Sequence, residues 1–323
     1  MTTRVARLQL NGAPVWVVET AAGLLPIPGD YPTTRAFFEQ GGETAAMALA
    51  DAPKGDAIDP AAAEWLSPVT QDAEFVCQAT NYANHVREVG RDPATIINNV
   101  LFRKASSSIA SPDTDIVRPA HVRLLDYEIE LGLVLRKGFD GPVKVTTETV
   151  GEWVGGLVIV NDVSARDVQI SHEQFHKAKS YRTFGPVGPW LVLLPPQDES
   201  RIGDLLLTLS VNGKVRQRDY ARDMIFAPPV TLTELSEIMD LNPGDLIATG
   251  TPGGVALQPP SPLVQKWASF LLSPQKRFAM FLKGQLKKGG YLQPGDIMTA
   301  AITTDDGTID LGVQTNRIVA HDA

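Results

Sequence analysis

Sulfur ligands are nearly absent from this chain. Its 323 residues include one cysteine, Cys77, which permits no internal disulfide and no multi-cysteine zinc or iron–sulfur site, so any bound metal is held by oxygen or histidine. Long apolar runs are missing too. No stretch approaches the ~20 residues that span a bilayer, and Met1–Pro14 lacks the apolar core of a secretory signal, so a cytoplasmic protein without a membrane span is expected. Basic charge is in deficit: 29 Lys and Arg against 37 Asp and Glu give a net charge of −8, which argues against a nucleic-acid partner. With 43% hydrophobic and 20% charged residues, the chain has the composition of a folded domain, and its length allows a large core plus a smaller one.

The first ~70 residues differ in texture from the rest. Val5–Thr20 alternates loosely around Asn11-Gly12, a type I′ hairpin signal, and Ala45–Leu66 reads as a connector rich in Ala, Asp, Gly and Pro. We expect a small N-terminal accessory domain over residues 1–70 and a larger domain over residues 71–323. In the latter, short strand-like runs are bounded by Gly, Pro, Asn and Asp: Tyr127–Leu135, Gly156–Val160, Trp190–Leu194, Leu205–Val211, Leu246–Thr249, Ile297–Ile302 and Thr308–Thr315. Asn212-Gly213 is a second hairpin signal, and Pro243-Gly244-Asp245 and Pro294-Gly295-Asp296 each read as a turn launching a strand. The pattern predicts an α+β, β-rich fold with Greek-key or barrel character rather than alternating βαβ units. Thr231–Asp240 is expected to be helical, opened by a capping box of Thr231 and Glu234.

Residues 262–290 stand apart. They hold six bases (Lys266, Lys276, Arg277, Lys283, Lys287, Lys288) and no acid, leaving 23 bases against 37 acids elsewhere. Trp267, Phe270, Leu271, Phe278, Phe281 and Leu282 recur at helical spacings, and Ser273-Pro274 marks a break, so two helices are expected. Such an insert packs on the body or at a subunit interface, or closes over an anionic substrate; membrane attachment is a remoter reading.

Five segments carry candidate chemistry. In Leu125–Leu131, strand periodicity puts Asp126, Glu128 and Glu130 on one face, where like charges in a row are unfavourable without a cation among them. The apolar run Gly156–Val160 reads as a strand buried on both faces, so Asp162 emerges from a low-dielectric surround where an acid must be paired or metal-bound. Glu128, Glu130 and Asp162 would form an all-oxygen site suited to Mg²⁺ or Mn²⁺; alternatively Arg166 or Arg103 neutralises the acids. His85 and Glu88, three apart, share a face if helical and would suit proton transfer, although such pairs are mostly surface contacts. Lys179 lies in a segment rich in Gly and aromatics before a strand. The glycines of Ala248–Val255 allow backbone amides close to a ligand, but the Gly-Lys-Ser/Thr of a nucleotide loop is missing.

In order along the chain, Asn81–Glu88, Asp126–Glu130, Asn161–Gln169, Lys179–Pro189 and Pro243–Val255 together resemble the fumarylacetoacetate hydrolase superfamily, over roughly residues 75–318. The resemblance implies a mixed, twisted β-roll catalytic domain, a homodimer, and one Mg²⁺ or Mn²⁺ per chain. It implies hydrolysis of a carbon–carbon bond in a small diketone or keto acid such as an acylpyruvate, through an enolate, with decarboxylases and isomerases of oxaloacetate-like acids on the same scaffold. Carried over by position, Glu128, Glu130 and Asp162 are the metal ligands. His85 is the water-activating base with Glu88 its partner, as in the acylpyruvase-like branch, and Lys179 stabilises the oxyanion. Arg166, Gln169, Thr251 and Tyr82 match substrate-side positions. Two departures bear on pocket shape: Cys77-Gln78-Ala79-Thr80 stands where many members have a glycine-containing stretch, and the basic insert follows the Thr251 loop.

Overall fold

The computed structural model describes residues 2–88, 90–172, 174–260, 267 and 270–321. Its first strands are β1 (Thr3–Leu10), β2 (Ala13–Thr20), β3 (Gly23–Pro26), β4 (Glu64–Leu66), β5 (Phe75–Ala79) and β6 (Val100–Lys104). There follow β7 (Ile109–Ala110), β8 (Ile116–Arg118), β9 (Leu125–Asp126), β10 (Ile129–Leu135), β11 (Val154–Asn161), β12 (Ser164–Ala165), β13 (Gly185–Pro186) and β14 (Leu191–Leu193). The last are β15 (Leu205–Val211), β16 (Lys214–Tyr220), β17 (Leu246–Ala248), β18 (Ile297–Thr304) and β19 (Asp310–Ala320). Both hairpin signals are met. Asn11 and Gly12 take φ of 50° and 84°, and Asn212 and Gly213 take 51° and 75°, the left-handed pair that a type I′ turn needs.

The strands form two large mixed sheets. A ten-stranded sheet runs β3-β2-β1-β14-β11-β10-β17-β5-β6 with β4 on β1, and a five-stranded sheet runs β16-β15-β18-β19-β8. Period-two alternation sorts the central strands onto two cores. Leu131, Leu133, Leu157, Ile159 and Ile247 face a cluster that includes Leu205, Leu207, Met298 and Ile302 of the second sheet. Val134, Val158, Val160, Leu246 and Cys77 face the other way, in a cluster with Phe37, Ala46 and Leu49 from the helices Thr34–Glu39 and Gly42–Asp51. With both faces covered, β10 and β11 are buried along their whole length, which is why they read as continuous apolar runs. Residues 3–26 extend this same sheet, because β1 pairs antiparallel with β14.

Both Pro-Gly-Asp turns launch strands by one device. Asp245 accepts from Asn242 N and Asp296 from Gln293 N, each at 2.7 Å, while Gly244 and Gly295 take φ of 86° and 96°. The capping-box expectation is corrected: the helix is Pro228–Ile238, starting three residues early because Pro228-Pro229 presets its first turn, and Thr231 is fully buried within it. In the insert, Ser273 caps the helix Pro274–Lys288, which stops at Gly289. The helix expected before it falls largely outside the described residues. Phe281 and Leu282 pack against the main core, while Lys276, Arg277, Lys283 and Lys287 face outward.

Candidate metal centre

Sheet register assembles the site. Ile129 of β10 pairs with Asn161 of β11, so Glu128 and Asp162 meet where the two strands leave the sheet. Asp162 N donates to Glu128 O at 2.8 Å, and Glu128 N donates to Asn161 Oδ1 at 3.1 Å, which fixes both residues. Glu130 lies on the same sheet face as Val134 and Val160. One carboxylate oxygen from each of Glu128, Glu130 and Asp162 lies within 4.8 Å of the others, and all three residues are buried.

Cations crowd two of the three. Lys179 Nζ lies 2.5 Å from both Glu128 Oε2 and Asp162 Oδ2. Lys104 Nζ lies 2.5 Å from Asp162 Oδ1 and donates to Phe184 O at 2.6 Å. Arg166 pairs with Glu128 Oε1 and, at 2.8 Å, with Asp126. Burial alone would push the Glu128 carboxyl up, but Arg166 and Lys179 pull it down to about 2. The Lys179 ammonium loses solvation on burial, yet Asp162 and Glu128 raise its pKa above the ordinary range.

Glu130 is different. Among the described residues no cation pairs with it; it accepts one hydrogen bond, from Gly250 N at 2.8 Å. Burial, then the charges of Asp162 and Glu128, push its carboxyl well above the usual range. Gly250 reaches it with φ of 88°, and a Cβ there would stand 2.8 Å from the Asn81 Cβ, so only glycine places this amide.

One sequence expectation is corrected and two are narrowed. Asp126, Glu128 and Glu130 do not share a strand face: the ladder breaks between β9 and β10, and the Asp126 carboxylate turns to Arg166 and to the amides of Ala256 and Leu257. Of the two arginines considered as neutralisers, Arg166 takes part, whereas Arg103 lies at the surface against Glu74. His85 and Glu88 do share the helix Ala83–Glu88, but they do not hydrogen-bond, because Glu88 Oε2 accepts from Gly254 N at 2.8 Å. The buried His85 Nδ1 has no partner. Burial lowers the His85 pKa, with the Glu128 charge the largest opposing influence.

The remaining candidates divide. Gln169 accepts from Arg166 Nη1 at 2.9 Å. Tyr82 is fully buried, and the Glu130 charge adds to burial in raising its pKa while Thr249 beside its hydroxyl opposes them. Thr251 is fully engaged, donating to Ile129 O at 2.9 Å and accepting from Gln217 Nε2 at 2.7 Å, so it braces β10. Lys104 and Gln217 escaped sequence reasoning, whereas Gly250 lies in the Ala248–Val255 segment whose glycines were expected to bring backbone amides close to a ligand. For Lys104 a signal existed: strand periodicity sets it on the Phe102 face, away from Arg103, which marks it as the inward lysine of β6.

Residues 74–319 match the family described as fumarylacetoacetate (FAA) hydrolase C-terminal. Among curated proteins the chain is 34% identical over 234 residues to "Oxaloacetate tautomerase Fahd2a, mitochondrial" of Rattus norvegicus, spanning 70% of this chain and 71% of that one. Among solved structures it resembles the fumarylacetoacetate hydrolase of Exiguobacterium antarcticum, with 29% identity, a TM-score of 0.71, and 99% and 100% of the two chains covered. It also resembles the 5-carboxymethyl-2-hydroxymuconate delta-isomerase of Mycobacterium smegmatis, at 26% identity and a TM-score of 0.68 over 99% and 100% of the chains.

Proposed function

Because the chain belongs to the fumarylacetoacetate hydrolase family, whose members are enzymes, we propose that it hydrolyses a carbon–carbon bond in a small 1,3-diketo or 2-oxo acid with a divalent cation held by Glu128, Glu130 and Asp162. One observation carries the reading: Glu130 is a buried carboxylate without a cationic partner, beside two others. Asp126, Glu128, Glu130 and Asp162 bring four carboxylates to three cations, Lys104, Lys179 and Arg166, so the cluster is one positive charge short. A hard, oxygen-seeking ion such as Mg²⁺ or Mn²⁺ fits that donor set. When bound, such an ion supplies Lewis-acid polarisation of the substrate carbonyls.

The chain's own groups supply the rest. Burial keeps His85 neutral near pH 7, so its imidazole accepts a proton from water as that water adds to a carbonyl. Lys179, already turned toward the carboxylate focus, stabilises the oxygen that gains charge. Collapse breaks the carbon–carbon bond; one fragment leaves as a carboxylic acid, and the other as an enolate that takes its proton back from His85. Arg166, Gln169 and Tyr82 border the substrate side, and Thr251 and Gln217 hold β10 in place behind them. The reading places the chemistry in residues 71–323, with residues 1–70 as accessory, and includes a homodimer in the cytoplasm; sedimentation and cell fractionation check these.

A second reading, keto–enol isomerisation of an oxaloacetate-like acid, is favoured by the separation of His85 from Glu88. A lone base moves a proton on carbon without activating water. Acylpyruvate hydrolysis and oxaloacetate tautomerisation, each measured with Mg²⁺, with Mn²⁺ and with EDTA, decide between them. Metal-dependent turnover of the acylpyruvate supports hydrolysis, and tautomerisation alone selects the second reading. Turnover that persists in EDTA and in Glu130→Gln would sink both.

A further inference from the structure

Asp126 is the acid of the Asp126–Glu130 run that turns away from the metal ligands. It is fully buried, and every described contact of its carboxylate is a donor held in place. Oδ2 accepts from Arg166 Nε at 2.8 Å and from Leu257 N at 3.1 Å. Oδ1 accepts from Ala256 N at 2.8 Å and from Tyr127 N at 2.9 Å. One carboxylate thus clamps Arg166 to the segment that opens the basic insert.

That segment is tied in turn to the insert's helix. Gln285, the one buried residue of Pro274–Lys288, donates to Gln258 O at 2.6 Å and accepts from Gln258 N at 3.2 Å and from the Tyr291 hydroxyl at 2.8 Å. Lys288 Nζ adds a bond to Gln258 O at 3.2 Å. Beyond the helix, Leu292 N donates to Leu125 O at 2.8 Å, returning the chain to the residue before Asp126. On the inner side, Arg166 reaches Glu128 and Gln169.

We infer that Asp126 is a positioning residue that couples the insert helix to Arg166, and through Arg166 to Glu128, so that the order of the helix and the readiness of the metal centre rise and fall together. The inference rests on the reading of Glu128 as a ligand. Its physical basis is that a buried carboxylate shared between a guanidinium and two loop amides cannot lose one partner without re-aiming the others. Coupling of this kind is reciprocal: if the helix helps the centre bind a cation, cation binding protects the helix by the same factor.

The test uses the full chain and two variants, Asp126→Asn and Gln285→Ala, with Mn²⁺ as probe. Three quantities are read: Mn²⁺ affinity by calorimetry, amide hydrogen exchange across residues 275–288, and KM against kcat on whichever substrate the wild type uses. In Asp126→Asn the new amide group faces two donors in either orientation, Arg166 Nε with Leu257 N or Ala256 N with Tyr127 N. Loss of a hydrogen bond to a charged group predicts KM higher by about tenfold or more with kcat changed much less. Exchange in the helix should also accelerate, although Asp126 touches no residue of it. Gln285→Ala, at a residue that hydrogen-bonds none of the carboxylates, should weaken Mn²⁺ binding by about threefold or more, and the double variant should depart from additivity by a similar factor. Faster exchange without any change in Mn²⁺ affinity in Gln285→Ala would overturn the coupling, as would a lower melting temperature in Asp126→Asn with unchanged helix exchange and KM. If Asp126→Asn does not fold, Gln285→Ala and the effect of Mn²⁺ on wild-type exchange decide alone. A wild type that binds no Mn²⁺ refutes the metal reading instead, and helix exchange in Asp126→Asn still reports on the clamp.

Discussion

Glu130→Gln separates what Glu130 does for the empty fold from what it does for a cation. Its carboxylate oxygen lies within 4.8 Å of oxygens from Glu128 and Asp162, and at an effective dielectric of about 20 each such pair repels by about 3.5 kcal/mol. Lys179, 2.5 Å from each of the other two carboxylates, cancels much of this. A net cost of about 1–3 kcal/mol remains for an acid held by one amide. Its folded pKa is raised, so between the unfolded value and the folded one the native state binds more protons than the unfolded state. Stability of the metal-free wild type therefore falls as pH rises above about 4.5, by up to about 1.4 kcal/mol per pH unit from this group. Gln carries no proton to lose, so the variant's melting temperature should be higher by a few degrees at pH 7–8 and flatter with pH. Its Mn²⁺ affinity should drop about 100-fold or more, since a neutral amide replaces an anionic ligand. Scanning fluorimetry across pH, with and without Mn²⁺, reads both effects. A metal-free variant less stable than the wild type at pH 8, with undiminished stabilisation by Mn²⁺, would refute the reasoning.

Other perturbations follow from the same geometry. Lys104→Ala strips one cation from fully buried Asp162 and should cost about 3–5 kcal/mol, visible in urea titration, because it leaves part of a buried charge unpaired. Activity should rely on neutral His85, whose pKa burial lowers; the rate should hold as pH falls to 6.5 and decline only below it, and a pH–rate profile breaking above 7 would contradict this. Gly250→Ala forces a side chain onto a φ of 88° and against Asn81, so it should destabilise the fold by about 1–3 kcal/mol and weaken metal binding by moving the amide off Glu130, read by melting temperature and calorimetry.

Much of this arrangement was legible before any coordinates. Hairpins at Asn11-Gly12 and Asn212-Gly213 are local events, fixed by residues that tolerate left-handed φ, and they form as read. The convergence of Glu128, Glu130 and Asp162 was legible because one apolar run leads to Asp162 and because acids at period two, Glu128 and Glu130, are unfavourable without a cation. The neutralising side was legible only at Arg166. Lys104, Lys179 and Arg166 reach the cluster from a strand end, a short helix and a strand-to-helix junction, and although periodicity sets Lys104 on the inner face of its strand, nothing local says that it meets Asp162. Alternation likewise failed at Asp126, since periodicity assumes an unbroken strand and Tyr127-Glu128 interrupts it between β9 and β10. His85 and Glu88 share a helix as read, but a tertiary donor, Gly254 N, takes the Glu88 carboxylate, and spacing on one helix carries no knowledge of it.

The seam between β1 and β14 governs how the gene product tolerates trimming. Leu191–Leu193 is shielded on one side only by Thr3–Val5. A fragment cut down to residues 74–319 would present that short apolar strand as an open edge, along with the bare flank left by Phe37 and Leu49. Exposed backbone donors and acceptors on a hydrophobic strand invite pairing with another molecule. Precipitation of such a fragment would therefore report a lost neighbour strand, and would say nothing about the soundness of the carboxylate cluster.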